Sequence, residues 1–305
     1  MINLEKLETE TVNELTKNID DLDFLSIVEI INAEDQKVPQ AVALVKNDIS
    51  NLIKAAYQVL RDGGRLIYAG AGTSGRLGIL DASECPPTYG VSADMVMGII
   101  AGGKEAIFAA REGFEDSELE GEKDLVAINL TDKDMVVGLA ASGRTPYVIG
   151  ALKFARKVGA VTGTIACVSS AIISEFSDYP IEIITGPEVI QGSTRMKAGT
   201  AQKLVLNMIS TTCMIKLGKV YGNLMVDVQP TNEKLRARAL RIISQAIDCD
   251  SEMARSLYDN SNGNVKVAIV MGLLGVDCGL ANELLVSSQG RIGEVVSRFQ
   301  KKGGE

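Results

Sequence analysis

The sequence has 305 residues, of which 46% are hydrophobic, so the chain is long enough to bury a large core and to form one α/β domain with a smaller appendage. Its 39 acidic residues outnumber 31 basic ones and give a net charge of -8, which excludes a general electrostatic attraction to nucleic acid or to an anionic membrane. The absence of histidine excludes a Ser-His-Asp triad, a histidine general base and the common zinc and iron sites, so acid and base chemistry falls to carboxylates, lysine, tyrosine or cysteine.

The predicted elements begin with a long helical pattern and continue with five strands. Apolar residues recur at helix-like intervals from Leu25 to Leu60. Five short β-rich runs follow, most of them separated by a helical segment: Leu66–Ala69, Met95–Ile100, Met135–Ala140, Thr162–Val168 and Ile181–Ile184. This alternation predicts an α/β fold in which helices cover both faces of a parallel sheet. Glycine-rich exits from the first three runs place three loops at carboxyl ends of strands, where open α/β sheets hold ligands.

The last part of the chain is expected to form a separate helical domain. A polar break at Gln229–Asn232 divides the sequence into a domain of residues 1–228 and a C-terminal domain of residues 229–305. Segments that begin at Met253 and Leu280 share an apolar helix, a polar turn with glycine and a second apolar helix. This duplication of small hairpins is too short for a solenoid and favours a packing or dimerisation module over a separate catalytic role.

The cysteines and the apolar stretches predict a soluble protein of a reducing compartment. The five cysteines are odd in number, scattered and free of C-x-x-C spacing, which fits reduced thiols that serve mainly as small core residues. The longest uninterrupted apolar stretch, Val267–Val276, is too short to span a membrane, and Met1–Asp21 is too acidic for a signal peptide. We therefore expect an unprocessed cytoplasmic protein with no membrane segment.

The turn after the first strand carries a glycine-rich motif. Gly70–Gly75 reads GAGTSG and satisfies the G-x-G-x-x-G pattern of dinucleotide-binding folds, but the acidic residue expected at the end of the second strand is missing, since Asp94 precedes that strand. The sequence favours a phosphate cradle in which backbone N–H groups and the hydroxyls of Thr73 and Ser74 meet a monophosphate at a helix N-terminus. The alternative is a glycine turn in which both hydroxyls merely cap the helix.

Two further loops repeat this hydroxyl pattern ahead of a helix. Ser142–Pro146, which reads SGRTP, follows the third strand. Gly192–Thr200, which reads GSTRMKAGT, adds two cations to Ser193 and Thr194 ahead of a helix that reaches Leu217. For this last loop an ordinary capping box with solvated charges is an equal alternative.

Carboxylates provide the candidate acid and base. The helix that begins near Ser74 is predicted to end at Glu84, before two prolines, and in its last turn the helix dipole disfavours negative charge. Glu84 would then stay protonated and act as a general acid; the alternative is an ordinary surface glutamate. A base could come from the acidic cluster after the second strand, but its spacing alone does not choose a member, and most such clusters are solvated faces. The cluster comprises Glu112, Glu115, Asp116 and Glu118.

Long segments of the chain resemble one enzyme family. GAGTSGRLGILDASECPPT, REGFEDSELEG, ASGRTPYVIGAL and GPEVIQGSTRMKAGTAQKLVLNMISTTCMIKLGKVYGNLMVDV are similar to the N-acetylmuramic acid 6-phosphate etherase family of the sugar isomerase (SIS) phosphosugar-binding superfamily. The resemblance implies a three-layer SIS-type sheet with a small C-terminal all-helical, ubiquitin-associated-like segment. It also implies cleavage of the D-lactyl ether at C3, by elimination across C2 and C3 of the open-chain sugar followed by addition of water.

The resemblance assigns roles to particular residues. Glu84 in DASECPPT matches the proton donor, and Glu115 in GFEDS matches the second catalytic carboxylate, a base at C2. The hydroxyl loops match those with which SIS domains hold a sugar phosphate, and Lys197 would offset charge near the phosphate or the enolate. The matched hydroxyl residues are Thr73, Ser74, Ser142, Thr145, Ser193 and Thr194. No metal or organic cofactor is implied, and the expected partners are a phosphosugar substrate and a second copy of the chain in a homodimer.

One position departs from the family pattern, and two other functions compete. Val12 stands where the family's T-E-x-R-N segment has arginine, so the resemblance implies no contact of that arginine in this chain. An aldose-ketose isomerase of the superfamily would move a proton without losing lactate, and a non-catalytic sensor, such as the regulatory protein of glucokinase, would bind without turnover. DASECPPT favours the etherase, because a sensor would not need the acid.

Overall fold

The computed structural model describes residues 8–109, 111, 113–228 and 232–302. By packing, the chain forms two compact units. The first comprises the described part of Met1–Ser83 together with Ala93–Ser210, and the second comprises Glu84–Ser92 together with the described part of Thr211–Glu305. The proposed domain boundary after Val228 stays a prediction, and Gln229–Thr231 of the polar break lie outside the described residues.

A five-stranded parallel sheet forms the centre of the first unit. Its strands pair in the order β2-β1-β3-β4-β5. Their bounds are β1 Leu66–Gly70, β2 Val96–Ile100, β3 Met135–Leu139, β4 Val161–Ala166 and β5 Tyr179–Glu182. Every residue of β1 and β3 is buried, because these central strands are covered on both faces. The five strands and the parallel α/β sheet predicted from the sequence are confirmed.

Helices pack on both faces of the sheet and make three layers. On one face, the backbone of Ile79 lies 2.7 Å from where a Cβ on Gly98 would be, and Leu52 crowds the corresponding position of Gly163. On the other face, Val148 and Leu152 lie against Gly138. These contacts place the helices α3 Lys46–Arg61 and α4 Gly72–Tyr89 opposite α6 Pro146–Val158. Two further long helices in this part of the chain are α5 Glu118–Ala127 and α7 Lys197–Lys216.

The long helical pattern near the N-terminus is divided into three helices. These are α1 Phe24–Asp35, α2 Val38–Leu44 and α3. Pro39 lies in the first turn of α2, where a missing backbone N–H costs nothing. Short 3₁₀ helices precede α1 at Glu8–Glu10, Glu14–Thr16 and Ile19–Asp21.

Helix α4 continues past the two prolines, so the prediction that it ends at Glu84 is wrong. Pro86 and Pro87 lie inside the helix, whose last residue is Tyr89. Gly90, with a φ of +62°, follows it. Each proline removes one backbone N–H donor, but the helix resumes, since the N–H of Gly90 donates to the carbonyl of Pro86 at 2.9 Å. The pair therefore weakens the last turns without ending them.

The second unit contains a bundle of short helices and a small hairpin. Its helices are α8 Glu233–Ile247, α9 Ser251–Asn260, α10 Val265–Leu274, α11 Cys278–Ser287 and α12 Ile292–Lys302, and its hairpin pairs β6 Val220–Tyr221 with β7 Leu224–Met225. The two duplicated segments form the pairs α9 with α10 and α11 with α12. Both turns use two successive residues with positive φ, Asn262 with Gly263 and Gln289 with Gly290. The predicted C-terminal helical segment is confirmed.

All five cysteines are free thiols, and Cys85, Cys167 and Cys213 are buried, as expected for small core residues. In the part of the chain that the structure describes, no single helix has both the length and the apolar character of a membrane span. The pair α10 and α11 meets that test only when taken together, and it is bent by 105°.

Candidate active site

The carboxyl ends of β1 and β3 open into a cleft of about 420 Å³. The cleft brings together six of the nine residues predicted for the site. They are Thr73, Ser74, Glu115, Ser142, Thr145 and Thr194. Its volume lies in the range of small-molecule sites, and its position at the carboxyl edge of the sheet is where the three loops were predicted to meet.

Two glycines shape the loops at this edge. Gly72 opens α4 with a φ of +51°, a conformation that costs glycine little. Gly143 has a φ of +68°, and a Cβ there would come within 2.5 Å of the Cβ of Ala171. Both turns therefore require glycine, and they direct the first turns of α4 and α6 at the cleft.

The helix starts supply donors for an anion. Thr73 and Ser74 lie in the first turn of α4, and Thr145 is the N-cap residue of α6. The hydroxyl of Thr145 makes no capping hydrogen bond. Ser74 is buried, and its Oγ donates to Oε1 of Gln202 at 2.8 Å, which fixes the side chain. Backbone N–H groups at the start of α4 are suited to a phosphate group. At the start of α6, Pro146 has no N–H and the N–H of Tyr147 donates to the carbonyl of Glu115, so that end contributes the Thr145 hydroxyl and the helix dipole.

Ser193 and Lys197 do not line the cleft. Ser193 belongs to a turn in which its backbone N–H donates to the carbonyl of Ile190. The Lys197 side chain is buried, and its Nζ lies 2.6 Å from Oε2 of Glu34. The expectation that Lys197 offsets charge near the phosphate is therefore corrected, because its charge is matched inside the protein.

A second glutamate completes the buried cluster around Lys197. The backbone N–H groups of Lys197 and Ala198 each donate to the carboxylate of Glu188 at 2.9 Å, so Glu188 caps α7. Burial raises the pKa of Glu188 although these two bonds oppose the shift. Burial also acts to raise the pKa of Glu34, but the hydrogen bonds from Lys197 and Lys37 outweigh it and lower that pKa. The cluster thus anchors the start of α7.

The structure distinguishes the members of the acidic cluster. Glu115 is exposed and lines the cleft together with Asp116. The backbone carbonyl of Glu115 accepts from the N–H of Tyr147 at 3.0 Å, which ties this loop to α6. Glu118 instead begins α5 and pairs with Lys153 at 2.7 Å. Glu112 lies outside the described residues. Two candidates for a base remain in the cleft, and Glu115 is the one that the family motif selects.

Glu84 is exposed on α4 and belongs to the second compact unit. The residues that line the cleft do not include it. Because α4 runs on to Tyr89, Glu84 is not in the last turn, and the argument from the helix end has no geometric basis. Its assignment as acid therefore rests on the family motif.

Arg144 and Glu10 also line the cleft, and neither was singled out from the sequence. The Nε of Arg144 is buried and has no hydrogen-bond partner among the described residues. A buried donor without a partner is costly unless a ligand or water supplies one. The sequence signal that could have indicated Arg144 was a cation inside a hydroxyl loop, SGRTP.

Val12 is exposed and is not among the residues that line the cleft.

Family models match the middle of the chain. The model described as the glucokinase regulatory protein N-terminal SIS domain matches residues 48–156, and the model described as the SIS domain matches residues 106–211. Among solved structures, the chain is similar to a protein of Bacteroides fragilis described as a phosphosugar isomerase involved in capsule formation. The identity is 16%, the TM-score is 0.50, and the match covers 65% of this chain and 94% of the other. This likeness shows the fold.

Named relatives match nearly the whole chain. N-acetylmuramic acid 6-phosphate etherases of Halalkalibacterium halodurans and an Exiguobacterium species are each 55% identical over 293 residues, which is 96% of this chain and 98% and 100% of theirs. The etherase of Actinobacillus pleuropneumoniae is 49% identical over 289 residues, covering 95% of each chain. Identity of about one half along essentially the full length of these proteins shows that the chain belongs to the N-acetylmuramic acid 6-phosphate etherase family.

Proposed function

We propose that the protein is a carbon-oxygen lyase that cleaves the D-lactyl ether of N-acetylmuramic acid 6-phosphate to N-acetylglucosamine 6-phosphate and D-lactate. The observation that carries the proposal is the cleft, in which hydroxyl loops at two helix N-termini lie beside the carboxylate of Glu115. The relatives that match this chain are named for the same substrate. The reaction would serve the breakdown of cell-wall amino sugar.

The phosphate end of the substrate is assigned to the hydroxyl loops. Thr73 and Ser74 at the start of α4 and Thr145 at the start of α6 lie at the positive ends of helix dipoles, which favour an anion. Ser142 and Thr194 extend the same lining. Since Lys197 is paired internally, the cation nearest to this role is Arg144, whose unpartnered Nε would gain a charge-assisted hydrogen bond from a phosphate oxygen.

Glu115 is assigned to removal of the C2 proton. Only the open-chain aldehyde makes this proton acidic enough for a carboxylate, and an exposed carboxylate in the cleft is free to take it. As the C2–H bond breaks, its electron pair forms the C2=C3 bond, and the C3–O bond breaks with its pair on the lactyl oxygen. A proton delivered to that oxygen, by Glu84 in the family assignment, completes D-lactate. Water then adds across C2 and C3 of the unsaturated aldehyde.

A coupled D-lactate assay on the purified protein tests the proposal. The wild type is expected to release lactate from N-acetylmuramic acid 6-phosphate, and Glu84→Gln and Glu115→Gln are expected to bind the sugar phosphate without releasing lactate. Glu118→Gln is the matched control, because Glu118 belongs to the same acidic run but pairs with Lys153 on the surface. Binding without lactate release in the wild type would contradict the proposal and favour the sensor, and conversion of the sugar without lactate would favour the isomerase.

We also propose that the protein is a cytoplasmic homodimer. The family resemblance supports a dimer, and α1 exposes large apolar side chains at Phe24, Leu25 and Val28. Sedimentation equilibrium is expected to give the mass of two chains, and the mass of one chain would contradict the dimer. Fractionation of the source cells is expected to recover the protein with the soluble cell contents; recovery with membranes or in the medium would contradict the location.

A further inference from the structure

A second, smaller cavity adjoins the cleft. Its volume is about 90 Å³, room for about three waters. It shares three residues with the cleft, Ala71, Gly72 and Glu115, so the two cavities meet beside the Glu115 carboxylate. The loop after β2 and the 3₁₀ helix Lys104–Ile107 form its other side. This is the third of the loops that the sequence placed at the carboxyl edge.

The small cavity carries two guanidinium groups. Arg76, on α4, is half-buried, and its Nε donates to the carbonyl of Ile107 at 2.9 Å, which holds the side chain in place. In the described part of the chain, no carboxylate forms an ion pair with Arg76. Arg111 lies over the ring of Phe114, with its Cζ 4.8 Å from the ring centroid. Both arginines line the cavity together with Glu115, so cationic side chains outnumber the carboxylate among its described lining residues.

The ion pair on Arg111 is weak enough to be exchanged. Its Nη1 lies 2.9 Å from Oε2 of Glu105, but the two side chains are 40% and 81% exposed. An exposed pair of this kind contributes little, because water screens both charges. An incoming carboxylate can therefore replace Glu105 on Arg111 at little cost, while Arg76 offers its terminal N–H groups from a fixed position.

Apart from the two arginines and Glu115, the wall of the cavity is small and apolar. Ala101 and Ala106 are buried, and both present methyl groups. Two guanidinium groups suit a planar carboxylate, which they bind through paired hydrogen bonds. The methyl groups beside them suit a small aliphatic substituent. The chemical class that fits is a short carboxylic acid with a methyl branch, and a lactyl group is such an acid.

The position of the cavity fits the same group. In the proposed reaction, the proton at C2 faces Glu115, the lactyl ether is on the neighbouring carbon C3, and the phosphate lies at the far end of the sugar, on C6. With the phosphate in the hydroxyl-lined cleft and C2 at the shared wall, the lactyl group extends away from the cleft. The cavity on the other side of Glu115 is then the space that receives it.

We propose that Arg76 and Arg111 bind the carboxylate of the lactyl group, and that the small cavity selects the lactyl ether over the unsubstituted sugar phosphate. The inference rests on the proposed function and adds to it the residues that recognise the leaving group. It makes the two arginines specificity-determining residues: they hold the anion that departs and take no proton.

The test compares two sugar phosphates that differ only in the lactyl group. N-acetylmuramic acid 6-phosphate reports KM and kcat for lactate release, and N-acetylglucosamine 6-phosphate reports exchange of its C2 proton with D₂O, followed by proton NMR. Arg76→Gln and Arg111→Gln are expected to raise KM for the first substrate about 10- to 100-fold, the loss of charged hydrogen bonds to a carboxylate. The exchange rate with the second substrate is expected to stay within about twofold.

A comparison of the two arginine variants controls for folding, and one further variant controls for general charge. Arg76→Gln also loses the bond to Ile107, whereas Arg111→Gln leaves it intact, so a KM effect in Arg111→Gln cannot come from that bond. Arg61→Gln removes an exposed arginine at the end of α3 that pairs with the adjacent Asp62, and it is expected to change neither readout. Equal losses with both sugar phosphates, which would assign the arginines to the phosphate or to the fold, would overturn the inference, as would an unchanged KM.

Failure of the etherase proposal can be distinguished from failure of the proposal about the two arginines. If the wild type releases no lactate, the etherase proposal fails, and the cavity is then tested by calorimetric binding of the two sugar phosphates. The inference predicts that the wild type binds N-acetylmuramic acid 6-phosphate more tightly and that both arginine variants lose at least about tenfold of this preference. Equal affinity of the wild type for the two compounds would overturn it.

Discussion

Replacing Lys197 by methionine tests whether this lysine supports the fold or contacts the phosphate. The variant removes the buried ammonium that lies 2.6 Å from Oε2 of Glu34 and leaves that carboxylate, itself buried, with only Lys37. Loss of one partner from a buried ion pair costs about 3–5 kcal/mol, since the remaining charge is not solvated. Lys37 still neutralises Glu34 from a side chain that is 58% exposed, so we expect about 3 kcal/mol.

The expected loss is large enough to measure by thermal unfolding. For a unit of about 200 residues, about 3 kcal/mol lowers Tm by about 6–12 °C. The circular dichroism signal at 222 nm follows the transition, and the KM for lactate release is measured on the same preparation at 25 °C, where the variant stays folded. We expect a lower Tm with KM changed by no more than about threefold.

A double variant separates the ion pair from other effects. Combining Glu34→Gln with Lys197→Met removes both charges, so part of the lost Tm is expected to return. A wild-type Tm in Lys197→Met together with a KM raised tenfold or more would refute the reasoning. That result would place the ammonium group at the phosphate in the working enzyme.

Three other predictions concern the sheet and the cleft. Burial acts to raise the pKa of the Asp134 carboxyl, but hydrogen bonds from Arg65 outweigh it and lower that pKa below its usual 3.8. The stability that ionised Asp134 gives the fold is therefore present above pH 3.8 and is lost as pH falls through the lower pKa of the folded state. Urea unfolding is expected to show Asp134→Asn less stable than the wild type at pH 7, with a smaller difference at pH 3; a constant difference would contradict this. Gly98→Ala inserts a methyl group 2.7 Å from the backbone of α4 and is expected to cost about 1–3 kcal/mol in the same assay, whereas wild-type stability would refute the close packing. Thr145→Val is expected to raise KM about tenfold, the loss of one hydrogen bond to a charged group, while Ser193→Ala, outside the cleft, changes it less than about twofold; equal effects would contradict the assignment of the phosphate site.

The sheet and the position of the cleft could be predicted because local signals decide them. The runs that form β1 and β3 are short, apolar and bounded by turn residues, and a strand buried on both faces requires that composition. Loops at the carboxyl ends of parallel strands meet at one edge whatever the details of packing. The hydroxyls of SGRTP and GAGTSG therefore reach the same cleft, as the sequence indicated.

The errors arose where distant packing overrides a local rule. Two prolines normally mark a helix end, yet α4 continues through Pro86 and Pro87. The loop of Lys197 gives no indication of its partner, because Glu34 lies 163 positions away in the sequence. The cavity of Arg76 and Arg111 was likewise hidden, since its wall combines α4 with the loop after β2, and neither segment is recognisable as a site alone.

The most direct measurement of the central claim follows the reaction in D₂O. Elimination and re-addition require the proton at C2 to leave on a base and to be replaced from solvent, whereas direct substitution at C3 leaves that proton in place. We predict that every molecule of N-acetylglucosamine 6-phosphate formed with D-lactate carries deuterium at C2, and that Glu115→Gln forms neither product. Lactate released together with sugar phosphate that retains protium at C2 would contradict the account.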